Sequence, residues 1–536
     1  MSAFGDYKAY KKYEPFYSNW KFQRDTQEAK RQEYLRLHPD KINQDDIQRG
    51  KVLLRAIDIM DEYSQKRAED MEVATETAVG YGLDAAIFGG AALGALIGTS
   101  KPVKKLIHKL FNNNKKAAAF LPLGVGALAG VIAAFPLYAW AAKAEVSASR
   151  RGRFESMKKD LNNPKGFAIL TEEQTKIAKE KAKNIKLESD KKLNFEIIKG
   201  LKTLKEMAID SKEYKTQKKL FELELAEAEK HLEDTMTPEE ILQAKKDQQL
   251  LTKLVEKIDI ASQDYAENAE LAAQTAVTGL LALSTLFNLA LEKILKSSNI
   301  KSAAKISAIA QIVSISIPII FSIASAQIQK QASRVGRFKV KQELLNNPSK
   351  LVYVSDENIA DIKDFSVQQE KKESLFSFHM NAWKNNKEYN QYKKGRAKEE
   401  EKFYKAVETI DLTPEQIKQA EILQRNTFKT FNKVDEKSQK YSESIEALGQ
   451  ALALPISLIF VSLGAAFGTK YLNKSMSDKI SKLEAVSNMS KYTGIILLST
   501  LPSILINAII TKEQKKASRI ADMLAINEMS DYRKFR

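Results

Sequence analysis

Three pairs of apolar segments, set in a chain otherwise dense in charge, limit what this sequence can fold into more than any other feature. The first pair covers 78–98 and 117–142, the second 271–292 and 303–327, and the third 445–468 and 493–511. Each has about the length of the ~20 residues that a helix rising about 1.5 Å per residue needs to cross a hydrocarbon core about 30 Å thick. Buried helices of water-soluble proteins seldom stay apolar on every face over such a length. The expectation is an all-α membrane protein in which each pair forms a two-helix hairpin, either transmembrane or embedded in one leaflet. Core helices of a soluble protein are the alternative, because Ala, Gly and Ser dominate several of the segments.

The pairs sit inside a longer unit that recurs. One string comes after each pair: ASRRGRF at 148–154, ASRVGRF at 332–338 and ASRIADM at 517–523. The first two continue in step to LNNP, ending at Pro164 and Pro348, and then to the helix-start signals TEEQ from Thr171 and SDEN from Ser355. Ahead of the pairs, AIDIMDEYSQKRAEDMEVATETA (56–78) matches VEKIDIASQDYAENAELAAQTA (255–276) and FNKVDEKSQKYSESIEALGQAL (431–452). Further upstream stand DYKAYKK from Asp6, EYKTQKK from Glu213 and EYNQYKK from Glu388. Between these lie TPEE at Thr237 and TPEQ at Thr413, where a hydroxyl can accept from free amides, Pro fits the first turn and carboxylates meet the positive helix end; the first copy has the looser INQDD at Ile42.

Such self-similarity predicts three tandem repeats, 1–164, 165–348 and 349–536, each a hairpin flanked by long amphipathic, coiled-coil-like helices. The third ends soon after its ASR string. From Pro238 to Val277 no Gly or Pro interrupts the second entry segment, so one helix is expected to run unbroken into the apolar stretch. Leu251, Leu254, Ile258, Ala261, Tyr265 and Ala269 recur every three to four positions and give that helix one apolar stripe.

Composition closes off most chemistry. The absence of cysteine excludes disulfides, thiolate zinc sites and cysteine nucleophiles. His38, His108, His231 and His379 are isolated, so no metal-ligand spacing and no Ser/His/Asp order emerges. The strings GALIGTSK and GAAFGTK are one residue short of a phosphate loop and end apolar stretches instead of coming after a strand. No catalytic, metal or cofactor site is expected, and no enzyme. The excess of 85 Lys and Arg over 68 Asp and Glu favours anionic partners. Charge spread along long helices argues against nucleic acid and for anionic lipid headgroups of a bilayer, with protein partners or self-association through the long helices.

The first twenty residues hold no apolar signal-peptide core, and the flanks of the long helices carry more Lys and Arg than the short loops. The expectation is an integral membrane protein with cytoplasmic termini and long helices. The loop KPVKKLIHKLFNNNKK, with six lysines, is the exception, and it suits a hairpin whose loop stays at an anionic surface.

Five groups of residues are candidates for function. Gly90, Gly94 and Gly98, with Gly126 and Gly130, make smooth faces for helix packing. Pro136, Pro318 and Pro502 each precede an ASR string and bend the return helix, shaping the hairpin or hinging a gate. Asp84 is an acid within an apolar segment, either an intramembrane ionisable site or a residue near interface water. Arg150, Arg151, Arg153, Arg334, Arg337 and Arg519 lie just past the return helices, at lipid-headgroup depth. Phe4, Tyr7, Tyr10, Tyr13, Phe16, Tyr17 and Trp20 form an aromatic series read as the packed face of a capping helix. These features point to a structural or scaffolding membrane protein that anchors a helical body, binds partners or shapes the bilayer. A channel or transporter with three hairpins about a central path is the alternative.

Overall fold

The computed structural model describes residues 3–61, 64, 151–187, 216–227, 230–232, 234–297, 331–362, 375–434, 445, 495, 509, 513 and 516–526. The protein is all-helical, and among the described residues there is no strand. The named α-helices are Ala3–Leu37, Glu172–Asn184, Pro238–Ser297, Leu375–Lys394 and Arg396–Val407. Further helical stretches cover 44–61, 151–160, 331–346 and 414–434.

The helix Pro238–Ser297 runs unbroken for 60 residues, as the absence of internal Pro and early Gly predicts. Its stripe is buried at Leu251, Leu254, Ile258, Tyr265 and Ala269, with Ala261 half-buried. The helix carries through 271–292, most of whose side chains lie outside the described residues. Among the described residues no helix is long and apolar enough to cross a membrane. The segments 78–98, 117–142 and 303–327 lie wholly outside them, and 445–468 and 493–511 lie outside except for Ile445, Ile495 and Ile509.

The chain divides into two compact units. One comprises Met1–Lys51, Gln249–Phe403 and Lys440–Arg536; the other comprises Val52–Gln248 and Tyr404–Gln439. The first unit is built on the long helix from Gln249 onward. Tyr265, Ala269 and Ala272 pack with Ala332, Val335 and Phe338 of the return helix and with Phe378, Ala382 and Tyr389 of helix Leu375–Lys394. A second cluster joins Tyr17 and Trp20 of helix Ala3–Leu37 to Ile520, Met523 and Ile526. The aromatic series of that helix is thus packed at Tyr17 and Trp20, with Tyr13 against the same cluster, whereas Phe16 is exposed. The side chains of Phe4, Tyr7 and Tyr10 lie outside the described residues.

The second unit is closed by aromatic contacts. Phe167 meets Phe428 edge-on at 5.9 Å, and Phe154 meets Phe221 edge-on at 5.5 Å. Its helix starts are tied together. Thr171 and Gln174 form a reciprocal capping box, and Thr413 with Gln416 repeats it, each threonine Oγ1 accepting from the third amide at 3.2 Å. The two boxes interlock, because Gln174 Nε2 donates to Gln416 Oε1 at 3.0 Å and Gln416 Nε2 donates to the Ile169 carbonyl. The third box, Thr237 with Glu240, is held by Lys418, whose Nζ lies 2.7 Å from Glu240 Oε2.

Both Asn-Asn-Pro strings break their helices in the same way. Asn163 and Asn347 cap short 3-10 turns, Pro164–Phe167 and Pro348–Leu351, that bury Phe167 and Leu351 respectively. Beyond these turns the two copies diverge. TEEQ opens the helix Glu172–Asn184, whereas SDEN, expected from sequence to start a helix, forms successive turns over 356–362. Asn358 stands where TEEQ has Gln174, and a side chain one methylene shorter cannot close the reciprocal bond as glutamine does. Asp356 is in addition drawn to Arg31, 2.7 Å away.

Candidate functional site

In the first two copies the described side chains that recur gather where the return helix meets its own entry helix. In the second copy, Gly336 lets two helices touch: a Cβ added there would stand 2.8 Å from the Ala261 carbonyl oxygen and 2.9 Å from the Ser262 Cα. Beside this contact Ser262 Oγ lies 2.6 Å from Ser333 Oγ, and Arg337 Nη2 lies 3.4 Å from Asp259 Oδ1. In the first copy Arg153 Nη2 donates to Asp61 Oδ1 at 2.9 Å, and both side chains are buried, at 7% and 9% exposure. The Arg153 guanidinium also lies 5.0 Å above the Phe431 ring. Arg153 and Arg337 hold the same place in their ASR strings, and Asp61 and Asp259 both stand three residues before a Ser-Gln step.

The third ASR string carries Asp522 where the others have arginine. Its polarity is reversed, and so is its partner: Gln263 Nε2 donates to Asp522 Oδ2 at 3.2 Å. Arg519 reaches Asp264 Oδ1 and Glu267 Oε2, each at 2.7 Å, on the long helix. Helix Ala3–Leu37 joins the same seam. Its Lys11 lies 2.6 Å from Glu513, Lys516 pairs with Glu14, and Arg24 Nε donates to Glu256 Oε1 at 3.0 Å. Hydrogen bonds from Lys11 and Lys516 hold the Glu14 carboxyl below its usual range.

A second polar cluster lies nearer the start of the long helix. Lys253 is half-buried, with its ammonium 4.9 Å above the Tyr353 ring. Burial, reinforced by the positive charge of Arg31, pushes its amine down to about 7. Arg31 is itself held by Asp356, and Leu35, Val352, Val354 and Ile359, on the same chain segments as Arg31 and Tyr353, pack into an apolar cluster.

Chemically, these arrangements clamp helices together. Asp264 and Glu267 of the seam face a cation of a neighbouring segment, and among the described residues no group of three His, Cys, Asp or Glu is placed to hold a metal ion. Of the arginines expected at lipid headgroups, Arg153, Arg337 and Arg519 have carboxylates of the chain as partners; Arg151 and Arg334 are buried to 9% exposure. Arg150 lies outside the described residues, as do Asp84, the glycines Gly90, Gly94, Gly98, Gly126 and Gly130, and the prolines Pro136, Pro318 and Pro502. The aspartates that answer the ASR arginines escape a motif reading of the sequence, although their fixed place ahead of Ser-Gln is an available signal. Gly336 and Lys253 escape it too; a glycine within a repeated helical string is the cue for the first, and no local signal marks the second. Against known proteins, the chain matches no family model, no curated protein and no solved structure.

Proposed function

We propose that the chain is a structural membrane protein whose three apolar pairs anchor a helical body to a bilayer, with that body on the cytoplasmic side. The body offers its long helices to protein partners or bends the membrane to which it is attached. Support comes above all from the helix Pro238–Ser297, which leaves a capped, charged start and continues without a break through the apolar stretch 271–292. A rod of that kind transmits the position of a membrane-inserted segment directly to the helical body. Arg153 and Arg337 contribute by fastening return helix to entry helix in the first two copies, which favours their apolar pairs leaving the body as hairpins. Anionic headgroups remain the expected lipid partner through the +17 charge of the chain.

Reconstitution into liposomes of anionic lipid tests this function. A scaffold changes vesicle diameter or curvature and passes no ions. Ion flux that responds to Pro318→Ala, with vesicle shape unaltered, identifies the channel instead.

A further inference from the structure

We propose that helix Ala3–Leu37 couples copies of this chain head to tail, docking on the face of Ile520, Met523 and Ile526 in a second copy as it does in its own; this goes beyond membrane anchoring and does not depend on it. The lysine-rich strings from Asp6 and Glu388 lie in helices Ala3–Leu37 and Leu375–Lys394, and the string from Glu213 reaches into the helical stretch 216–227. The helix of the second copy covers the return helix of the first, and that of the third covers the return helix of the second. The seventh residue of the ASR string marks each contact. Phe154 meets Phe221 at 5.5 Å, and Phe338 lies 5.8 Å from Tyr389 and 4.7 Å from Tyr392. Further along, Lys158 donates to Gln217 Oε1 at 3.1 Å and Lys341 to the Tyr392 hydroxyl at 2.9 Å; Gln217 and Tyr392 hold the same place in their strings. In the third ASR string the seventh residue is Met523, which packs with Tyr17 and Trp20 of the first copy's helix. The contact that joins successive copies therefore also joins the third to the first.

The entry helices follow the same succession. In the second unit the first return helix and the second lysine-rich helix share the entry helix of the third copy: the Arg153 guanidinium stands 5.0 Å above Phe431, and Phe221 lies 6.4 Å from Phe428. In the first unit the third return helix and helix Ala3–Leu37 share the entry helix of the second copy, through Arg519 with Asp264 and Arg24 with Glu256. Moving every member of the first trio back by one copy, with the third standing before the first, produces the second trio. Such an interface is heterologous, because helix and acceptor are different surfaces, and a second chain supplies either of them equally well. Charge fits the two together. Lys21, Arg24 and Arg31 of the helix meet Asp264, Glu256 and Asp356, cations on one side and carboxylates on the other, with Glu14 and Lys516 reversed. The 3-10 turn Pro39–Lys41 that comes after the helix buries no residue, so a hinge there lets the helix reach a second chain.

The test uses the pair Lys11 and Glu513, 2.6 Å apart, in a chain that has no cysteine of its own. Full-length chains with Lys11→Cys and full-length chains with Glu513→Cys are coexpressed, purified in detergent and treated with a short bismaleimide, and covalent species are separated by mass. The expected result is a dimer that joins one chain of each kind. The double variant K11C/E513C is expected to give a ladder of multiples beside an internally linked monomer. Arg36→Cys, at the exposed far end of the same helix, is the control for chance collision and is expected not to link to E513C chains. An internal link in the double variant without a dimer in the mixture confines the helix to its own chain and overturns the proposal. So does a dimer that forms as readily with R36C as with K11C, and so does the absence of any link in either sample. None of these results bears on whether the apolar pairs enter a bilayer, because no bilayer is present.

Discussion

Charge withdrawn from water acts in opposite senses at the Arg153–Asp61 pair and at Lys253. The Arg153–Asp61 pair is enclosed in protein, so removing one partner takes the ion pair from a buried charge, at a cost of about 3–5 kcal/mol. Arg153→Met is expected to lower the urea unfolding free energy by that amount, and Arg153→Met with Asp61→Leu to recover most of it; a double variant as weak as the single one contradicts the role of the pair. Lys253 behaves in the opposite sense. Its folded amine is lowered to about 7 from 10.5, so between those values the unfolded chain binds the extra proton and stability rises with pH. Below about 7 the charged form is present in both states and the burial cost is fully felt, partly offset by the Tyr353 ring. Lys253→Met is expected to raise Tm at pH 6 and to give a smaller gain at pH 10; an equal gain at both rules out the shifted amine.

Among elements, helix starts and helix contacts set the architecture. The interlocked boxes at Thr171 and Thr413 tie two helices end to end, so a cap lost at one weakens both. Thr413→Ala is expected to cost about 1 kcal/mol as an isolated cap. Because Gln416 also bonds Gln174, hydrogen exchange should quicken at Glu172–Asn184 as well as at 414–420. Faster exchange at 414–420 alone contradicts the coupling. These starts are legible in sequence, since Thr with Gln or Glu three residues later states the reciprocal bond outright. SDEN misleads because the outline of the signal is present while its last position is an asparagine. The stripe from Leu251 to Ala269 is equally legible through its spacing, and it is buried or half-buried throughout. Which helix covers it is not legible, because Arg24 with Glu256 and Arg337 with Asp259 join residues far apart in the chain, with no local signature.

For the molecule as a whole, the decisive feature is that distant stretches are sewn to the long helix. The segment 516–526 packs on both helix Ala3–Leu37 and the long helix, and ion pairs of this seam bridge residues 502 positions apart. Glu14 has a lowered folded pKa, so its contribution is present above its ordinary value of 4.5 and is lost as pH falls through the folded value. Amides of 516–526 are expected to lose protection between pH 5 and pH 3, about the range of carboxylate titration, after correction for intrinsic exchange; unchanged protection assigns the seam to its apolar contacts alone. In the proposed arrangement the apolar pairs enter a bilayer while the clamped helices stay on one side of it. Cysteine accessibility mapping tests this most directly, because the chain contains no cysteine of its own. Single cysteines at Asn112, Ser297 and Ser475, in the short connections, and at Lys246 and Glu415, on the long helices, are labelled in sealed proteoliposomes with a membrane-impermeant maleimide. For spanning hairpins the connections and the long helices are labelled from opposite faces, and for hairpins embedded in one leaflet from the same face, with 271–292 protected in both. Free labelling throughout 271–292 in the presence of lipid contradicts membrane insertion.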